Sequence, residues 1–383
     1  MIYRDFGNTG LKVSALGFGC MRFPLLGKDN RVIDEAHATR MVHHAIEKGV
    51  NYFDTAYPYH AENFSKAGES EPFLGRALKN GYREKIYLAS KLPCWLVESR
   101  EDMERILNEQ LARLETDFID FYLLHALNRI SWKKMLSFGV LDFLNDALRD
   151  EKIRHAGFSF HDELDLFKEI VDAYDWSFCQ IMYNYFDEDF QAGAEGLKYA
   201  SEKGLGVLAM EPLRGGTLVH GLPEEAGRIL EEAVPGRSKV DWALRWLWKQ
   251  PEVAVVLSGM SHMDQLSENL ELTVRAASAS WNSHDAETLR KVRQVILKLQ
   301  KVNCTACGYC LPCPHGVNIP RNFSLCNDHH MLNDPAARAR YYSLLGEKER
   351  ASACIACGEC LEKCPQQIAI PDELQEVADL FGT

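Results

Sequence analysis

No run in this 383-residue chain is apolar over the roughly 20 residues that a membrane-spanning helix needs, so a membrane partner is not expected. The opening residues, MIYRDFGNTG, lack a basic region followed by an apolar core. Secretion is therefore not signalled, and the cytoplasm is the expected compartment. Positive charge is in short supply. Fifty-five acidic against 43 basic side chains leave a net charge of -12, without any Lys/Arg block, which speaks against nucleic acid as a partner. A glycine-rich phosphate fingerprint is missing after the first strand, and the sequence carries no flavin fingerprint. At 46% hydrophobic content, the chain is nevertheless long enough to bury one large domain and a small one.

What is present is a regular alternation. Two short extended runs flank Asn8-Thr9-Gly10 and read as a hairpin suited to plugging a barrel floor. From Leu16, short apolar runs near 16-20, 50-54, 86-90, 119-124, 154-159, 178-183, 206-210 and 253-258 alternate with helix-period segments. Eight strand-helix units predict an eight-stranded β/α (TIM) barrel in the α/β class. A doubly wound open sheet is the alternative, but it seldom runs to eight units without a glycine-rich fingerprint. After Trp281 the pattern changes, an amphipathic helix is predicted over 284-302, and the domain boundary falls in the SASWNS stretch. The expected domains are 1-281, the barrel, and 282-383, a small helical unit.

The stretch Asn51–Tyr59, NYFDTAYPY, is a packed strand running into a loop, since Pro58 cannot donate to a ladder. Asp54 stands at that strand's end. Other predicted strand ends carry Lys91, His125, Ser159 and Gln180. Singly, each has a structural role open to it: a solvated lysine, a satisfied core histidine, an amide filling a barrel layer. In a β/α barrel these ends share one mouth, where an acid, an amine, an imidazole, a hydroxyl and an amide would converge.

At these residues the chain resembles the aldo-keto reductases. DTAYPY, the ASK of LASKL and DFYLLH match that family's motifs in order, over roughly Tyr3 to Leu270. The resemblance implies a catalytic tetrad of Asp54, Tyr59, Lys91 and His125, a nicotinamide cofactor, and hydride exchange between a carbonyl and an alcohol. The residue types suit that chemistry. Charge building on the carbonyl oxygen calls for a proton donor, here Tyr59, whose phenol, ordinarily near pKa 10, is expected to be lowered by Lys91. Asp54 would keep Lys91 charged, and a neutral His125 would orient the carbonyl.

The resemblance also assigns positions to the cofactor: Gly19, Asp54, Ser159, Gln180, Met210, Leu213, Gly259, Gln265, Glu268 and Asn269. Ser159 and Gln180 would take the carboxamide. Phe160 replaces a family Asn, and Met210 stands where an aromatic residue usually stacks. Glu268 and Asn269 match adenine-contacting residues, whereas Gly259 and Gln265 stand where the family often has Lys and Arg around a 2'-phosphate. NADP(H) is the expected cofactor, with NAD(H) the alternative.

Eight of the 12 cysteines form two tight sets near the C-terminus. Cys354-x2-Cys357-x2-Cys360-x3-Cys364-Pro365 has bacterial ferredoxin spacing, and Cys304-x2-Cys307-x2-Cys310-x2-Cys313-Pro314 repeats it with one residue fewer. Zinc sites usually pair two separated Cys-x2-Cys units, so two [4Fe-4S] clusters are the preferred reading. As in two-cluster ferredoxins, Cys364 would complete the first set and Cys313 the second. The intervening PRNFSLCNDHHMLN, DPAARARYYSLL and EKERASAC look helical, resembling α-helical ferredoxin modules. Few large apolar residues adjoin the cysteines, so this segment is expected to depend on its clusters for order. Cys20, Cys94, Cys179 and Cys326 are expected to be packed thiols. The overall expectation is a nicotinamide-dependent oxidoreductase acting on a small carbonyl or alcohol, with electron-transfer or structural clusters and a possible redox partner protein. The alternative is a non-enzymatic redox sensor or docking module.

Overall fold

Phe6 explains how the first residues serve the rest of the fold. It sits between β1 (Tyr3–Asp5) and β2 (Lys12–Ser14), an antiparallel hairpin with Tyr3 opposite Ser14. A turn over Gly7–Thr9 reverses the chain and ends at Gly10 with φ 74°, the left-handed conformation that glycine adopts without strain. Phe6 is completely buried against the rings of Tyr52, Phe121 and Phe178, with centroids 5.9, 4.7 and 5.7 Å away. Gly206 makes room for it, because a Cβ there would lie 2.9 Å from the Phe6 ring. The expected floor plug is thus a single aromatic side chain driven in by the hydrophobic effect, an interaction of about 2–3 kcal/mol.

The computed structural model describes residues 1–278 and 281–382. Eight parallel strands close the barrel: β3 (Leu16–Gly19), β4 (Tyr52–Asp54), β5 (Tyr87–Leu92), β6 (Ile119–Leu127), β7 (Ile153–Phe160), β8 (Phe178–Met182), β9 (Gly206–Met210) and β10 (Val253–Gly259). Each pairs with its neighbours in sequence, and β10 returns to β3. Strands buried on both faces read as continuous apolar runs, which is why all eight were recognisable. The helices between them start where the sequence supplies caps. Asp34 accepts from the His37 N–H, Ser99 from Asp102, and Asn128 forms a capping box with Ser131.

The two compact units are not contiguous stretches. One comprises Met1–Pro212 with Val240–Trp281; the other joins Leu213–Lys239 to Asn282–Thr383. The division expected at 281 and 282 left residues 213–239 with the barrel, whereas they cluster with the C-terminal unit. There, helix Glu224–Ala233 packs on helix Ser283–Leu297, Arg237 pairs with Asp285 at 2.6 Å, and Arg214 pairs with Asp328 at 2.9 Å. The SASWNS stretch expected to hold the boundary lies partly outside the described residues.

The cysteine segment is better packed than its sequence suggested. Helix Ile319–Leu332, helix Ala337–Leu344 and helix Ile370–Gly382 enclose an apolar core that includes Phe323, Leu325, Tyr341, Leu374, Val377 and Phe381. These residues are scattered along the chain, so a local reading around the cysteines undercounts them. Cys326 is a buried thiol of this core. EKERASAC, expected to be helical, forms two single-turn 3-10 helices, Glu347–Glu349 and Ala351–Ala353, and no α-helix. Among the described residues, no helix is long and apolar enough to cross a membrane.

Candidate active site and cysteine cavities

The barrel's register brings Gly259, Gly19, Asp54 and Ala89 side by side across β10, β3, β4 and β5. Two residues beyond Ala89, Lys91 points inward and is wholly buried. Its Nζ donates to Asp54 Oδ1 at 2.5 Å, the Thr55 carbonyl at 2.9 Å and the Tyr59 hydroxyl at 3.1 Å. The three donors of the ammonium are therefore fully used. Behind the lysine, the Gln110 amide donates to the Lys91 carbonyl, Ser90 Oγ and Glu71 Oε1. His125 approaches Tyr59 edge-on, with ring centroids 6.1 Å apart. Just past it the β6–β7 register shifts, and Ala126 takes φ 53°. Such a bulge re-aims neighbouring side chains. Ser159 Oγ stabilises this one by accepting the Ala126 N–H at 2.7 Å.

The electrostatics follow from burial and one charge pair. Burial alone would lower Lys91, but Asp54 and Tyr59 outweigh it and raise the ammonium's pKa. Burial lifts Asp54 as well, opposed by Lys91. His125 is held well below its ordinary value by burial, then by the Lys91 charge and His161, so its imidazole stays neutral. Tyr59 corrects an expectation. Lys91 does pull it down, but burial is the larger influence and leaves the phenol above its ordinary value.

The residues expected to hold a nicotinamide suit a carboxamide in one respect. Gln180 is buried on β8 beside Ser159, its Nε2 lies 3.3 Å from Met210 Sδ, and its Oε1 has no partner. An amide N–H is what that oxygen lacks. Ser159, having accepted a backbone N–H, still has its own proton to donate. Phe160 points into apolar surroundings against Phe167 and offers no polar group. At the end of β10, Asn269 donates to Ser258 Oγ at 3.0 Å and Gln265 accepts the Ser261 N–H at 2.8 Å. Glu268 shares their helix, Met263–Ser278, while Leu213 belongs to the other compact unit. Two aromatic residues escaped the sequence reading: Trp95, 5.1 Å from the His125 ring, and Phe64, whose carbonyl accepts the Trp95 Nε1–H. Neither sits at a strand end, so the strand-end rule does not reach them. Of the lone cysteines, Cys20, Cys94 and Cys179 are all buried.

The C-terminal cysteines line two cavities. One, of about 320 Å³ including space open to solvent, has Cys304, Cys307, Cys310 and Cys364 in its wall; the other, of about 390 Å³, has Cys313, Cys354, Cys357 and Cys360, with Cys310 at its edge. Each cavity thus draws its wall from both cysteine sets, Cys364 joining the first three cysteines and Cys313 the second three. As far as the third cysteine, the two loops follow one path. Ala306 and Ala356 both have φ 55°, Gly308 and Gly358 have φ 74° and 81°, and the N–H of each alanine donates to the Sγ of Cys304 or Cys354 at 3.4 Å. Among the described residues, no group of three His, Cys, Asp or Glu side chains converges as one metal ion requires. Thiols ranged around a cavity suit a cubane better than a single zinc with sulfurs at about 2.3 Å. Without metal, burial lifts the Cys310 thiol to about 11.

Comparison with known proteins agrees with this architecture. The aldo/keto reductase family profile matches residues 15–286, and a 4Fe-4S dicluster domain matches residues 303–369. L-galactose dehydrogenase of Arabidopsis thaliana is 28% identical over 312 residues, covering 76% of this chain and 93% of that protein. The 6-dehydroglucose reductase of Novosphingobium aromaticivorans is 26% identical over 303 residues, covering 74% and 92%. An aldo-keto reductase from Bacillus halodurans, solved in its holo form, superposes with a TM-score of 0.62 at 26% identity, covering 76% of this chain and 96% of its own. With its closed eight-stranded barrel and two lined cysteine cavities, the chain belongs to the aldo/keto reductase family and carries a C-terminal 4Fe-4S dicluster domain.

Proposed function

We propose that the barrel interconverts a carbonyl and an alcohol using a nicotinamide dinucleotide, with Tyr59 as the group that moves the proton. The observation that carries this reading is the placement of one buried ammonium, Lys91, in hydrogen-bond reach of both Asp54 and Tyr59. When bound, the nicotinamide supplies hydride in reduction and accepts it in oxidation. Tyr59, raised by burial, stays protonated through the neutral range and is loaded as a donor. As its proton leaves, the Lys91 charge 3.1 Å away stabilises the phenolate. Asp54 keeps that charge in place, because an unpaired buried ammonium tends to lose its proton. His125, neutral, is suited to hydrogen-bond the substrate oxygen.

Ser159 and Gln180 would hold the carboxamide, and the 258–269 segment the adenosine end. Cys304, Cys307, Cys310 and Cys364 would hold one [4Fe-4S] cluster, and Cys313, Cys354, Cys357 and Cys360 a second. Such clusters exchange single electrons, so a redox partner protein is the expected counterpart in the cytoplasm, where thiols stay reduced. Two relatives are named for sugar chemistry, which places sugar-derived carbonyls and hydroxyls first among substrates to try. The test is nucleotide turnover by pure protein, NADPH oxidation with aldehydes and keto sugars and NADP reduction with the matching alcohols. Turnover with any of them supports the reading, and none with the whole panel, in protein shown to bind the nucleotide, overturns it.

A further inference from the structure

Two asparagines are buried in the helix Ile319–Leu332, although asparagine is a poor helix former and an unpaired amide there would be costly. Five residues at about 100° each set Asn322 and Asn327 roughly 140° apart around the helix axis, so they face different parts of the chain. Asn327 closes on one short segment. Its Oδ1 accepts the N–H groups of Lys301 and Val302 at 3.0 and 2.8 Å, and its Nδ2 donates to the Val302 carbonyl at 2.8 Å. That carbonyl also accepts the Cys304 N–H at 2.8 Å, so the amide stands one residue's hydrogen bonds away from the first cysteine of the first set. Asn322 has the same relation to the second set. Its Oδ1 accepts the Ala351 N–H at 2.8 Å, and the Ala351 carbonyl accepts the Cys354 N–H at 3.0 Å. The buried Tyr341 hydroxyl reinforces this contact, donating to the same Oδ1 at 2.9 Å and accepting the Ala351 N–H at 2.9 Å. Asn322 Nδ2 then donates to two carbonyls, Asn318 and Glu349, at 2.8 Å each, while the Asn318 N–H donates to Glu349 at 3.0 Å. Asn318 follows Cys313 by five residues and Glu349 precedes Cys354 by five. One side chain thus ties together the two stretches whose cysteines share the second cavity.

We propose that Asn327 and Asn322 are the positioning residues of the first and second cysteine sites, each fixing the chain that leads into one site, so that the two sites take up and lose iron independently. The inference rests on the two-cluster reading above. An amide suits the task because it offers an acceptor and donors to backbone groups that an apolar side chain would leave unpaired. The need for it comes from the shared cysteines. Cys313 belongs to the loop of the first set, so disorder of that loop would take it from the second site unless it is held from its far side. The grip of Asn322 on Asn318 supplies that hold. Cys364 is held from its far side too, by Ile368 and Ile370, which pack into the apolar core. With both lead-ins fixed to one helix, opening at one site leaves the other in place.

The experiment reads iron, not turnover, on the full-length chain. Cys304→Ser with Cys307→Ser leaves the second site alone, and Cys357→Ser with Cys360→Ser leaves the first, each expected to hold on the order of four irons. Release of iron to a chelator is then timed in each protein. Asn322→Leu should speed release from the second site by at least about tenfold, and change release from the first by less than about twofold. Asn327→Leu should do the reverse. Tyr341→Phe keeps the buried ring, removes only a hydroxyl and covers the case of a leucine variant that fails to fold. It should speed release from the second site alone, by a smaller factor. Equal acceleration at both sites, from either leucine variant or from Tyr341→Phe, would make these residues supports of the whole unit, and unchanged release would show that they hold nothing the sites need. Single-site proteins that take up no iron while the parent does would show that the sites depend on each other. Each of these results overturns the assignment and leaves the two-cluster reading standing. A parent that takes up no iron, or one cluster's worth, removes that reading and the assignment with it.

Discussion

Lys91 is wholly buried and held by three oxygen atoms, whereas Cys307 and Cys357 stand exposed on loops shaped by turns. The barrel assembles its site from strand ends far apart in sequence, so the fold itself sets the distances. The cysteine unit places three cysteines of each cavity within seven residues of chain and brings another from the other set. In the first case the protein supplies the electrostatics before any ligand arrives, as the Lys91 and His125 shifts show. In the second, burial raises the Cys310 thiol, so a bound metal would have to displace its proton, and binding and local order would be linked. A preorganised site should be sensitive to single atoms and a metal-completed one to metal.

The largest expected effect tests the first half of that contrast. Tyr59→Phe deletes one hydroxyl, leaves the Lys91–Asp54 pair intact, and removes the proposed proton donor. Carbonyl reduction should fall by about 10²–10⁴ in kcat, the usual worth of a positioned general acid, with NADPH affinity little changed. Retention of full turnover would show that the proton comes from elsewhere, and His125 would be the next candidate.

Iron removal tests the second half. Intact protein should release on the order of eight irons if both cavities hold cubanes. Oxygen should bleach the visible absorbance and disorder both cysteine loops, and Cys357→Ser with Cys360→Ser, which alters the second cavity alone, should remove about half of that absorbance, while the helices around Phe323, Tyr341 and Phe381 persist because their core is apolar in its own right. Barrel circular dichroism should be unchanged. Turnover of NADPH with a reactive aldehyde should fall by less than about tenfold, since Asp54, Tyr59, Lys91 and His125 need only hydride and a proton. A loss beyond about 100-fold, roughly 2.7 kcal/mol of transition-state stabilisation, in folded protein would make the cysteine unit part of catalysis.

The same contrast governs what could be read in advance. Eight strands were legible because parallel barrel strands are apolar on both faces, and Asp54, Lys91, His125, Ser159 and Gln180 were legible because a barrel gives strand ends a common address. The cysteine spacing was legible locally. What stayed hidden needed long-range packing. Asn322 and Asn327 reach Ala351 and Val302 only because their helix packs against segments distant in sequence. The core residues Phe323 and Phe381 come from separate helices, and the 213–239 segment shows amphipathic helices without saying which unit they cover. The direction of the Tyr59 shift depended on how deeply the phenol is buried, and that depth is a property of the folded loop.

The smallest expected effect concerns pH. Folded His125 is kept neutral by burial, with Lys91 and His161 opposing its charge further, whereas unfolded histidine takes up a proton near pH 6.5. Below about pH 6.5 the unfolded chain therefore binds more protons than the folded one. Stability then falls as pH falls, at up to about 1.4 kcal/mol per pH unit from this one group, until the folded pKa is reached. Above neutrality the group contributes no slope. His60 and His155 in the barrel are also lowered by burial and add slopes of the same sign, while Asp54, raised by burial, adds one of opposite sign. The informative quantity is therefore the difference between the parent and His125→Gln, which cannot titrate. Urea unfolding of the barrel between pH 7 and pH 5 should lose less stability in the variant than in the parent. Identical pH dependence in the two would mean that folded His125 is protonated like an unfolded one. The neutral hydrogen-bonding role assigned to it would then fail, although the Lys91–Tyr59 pair would be untouched.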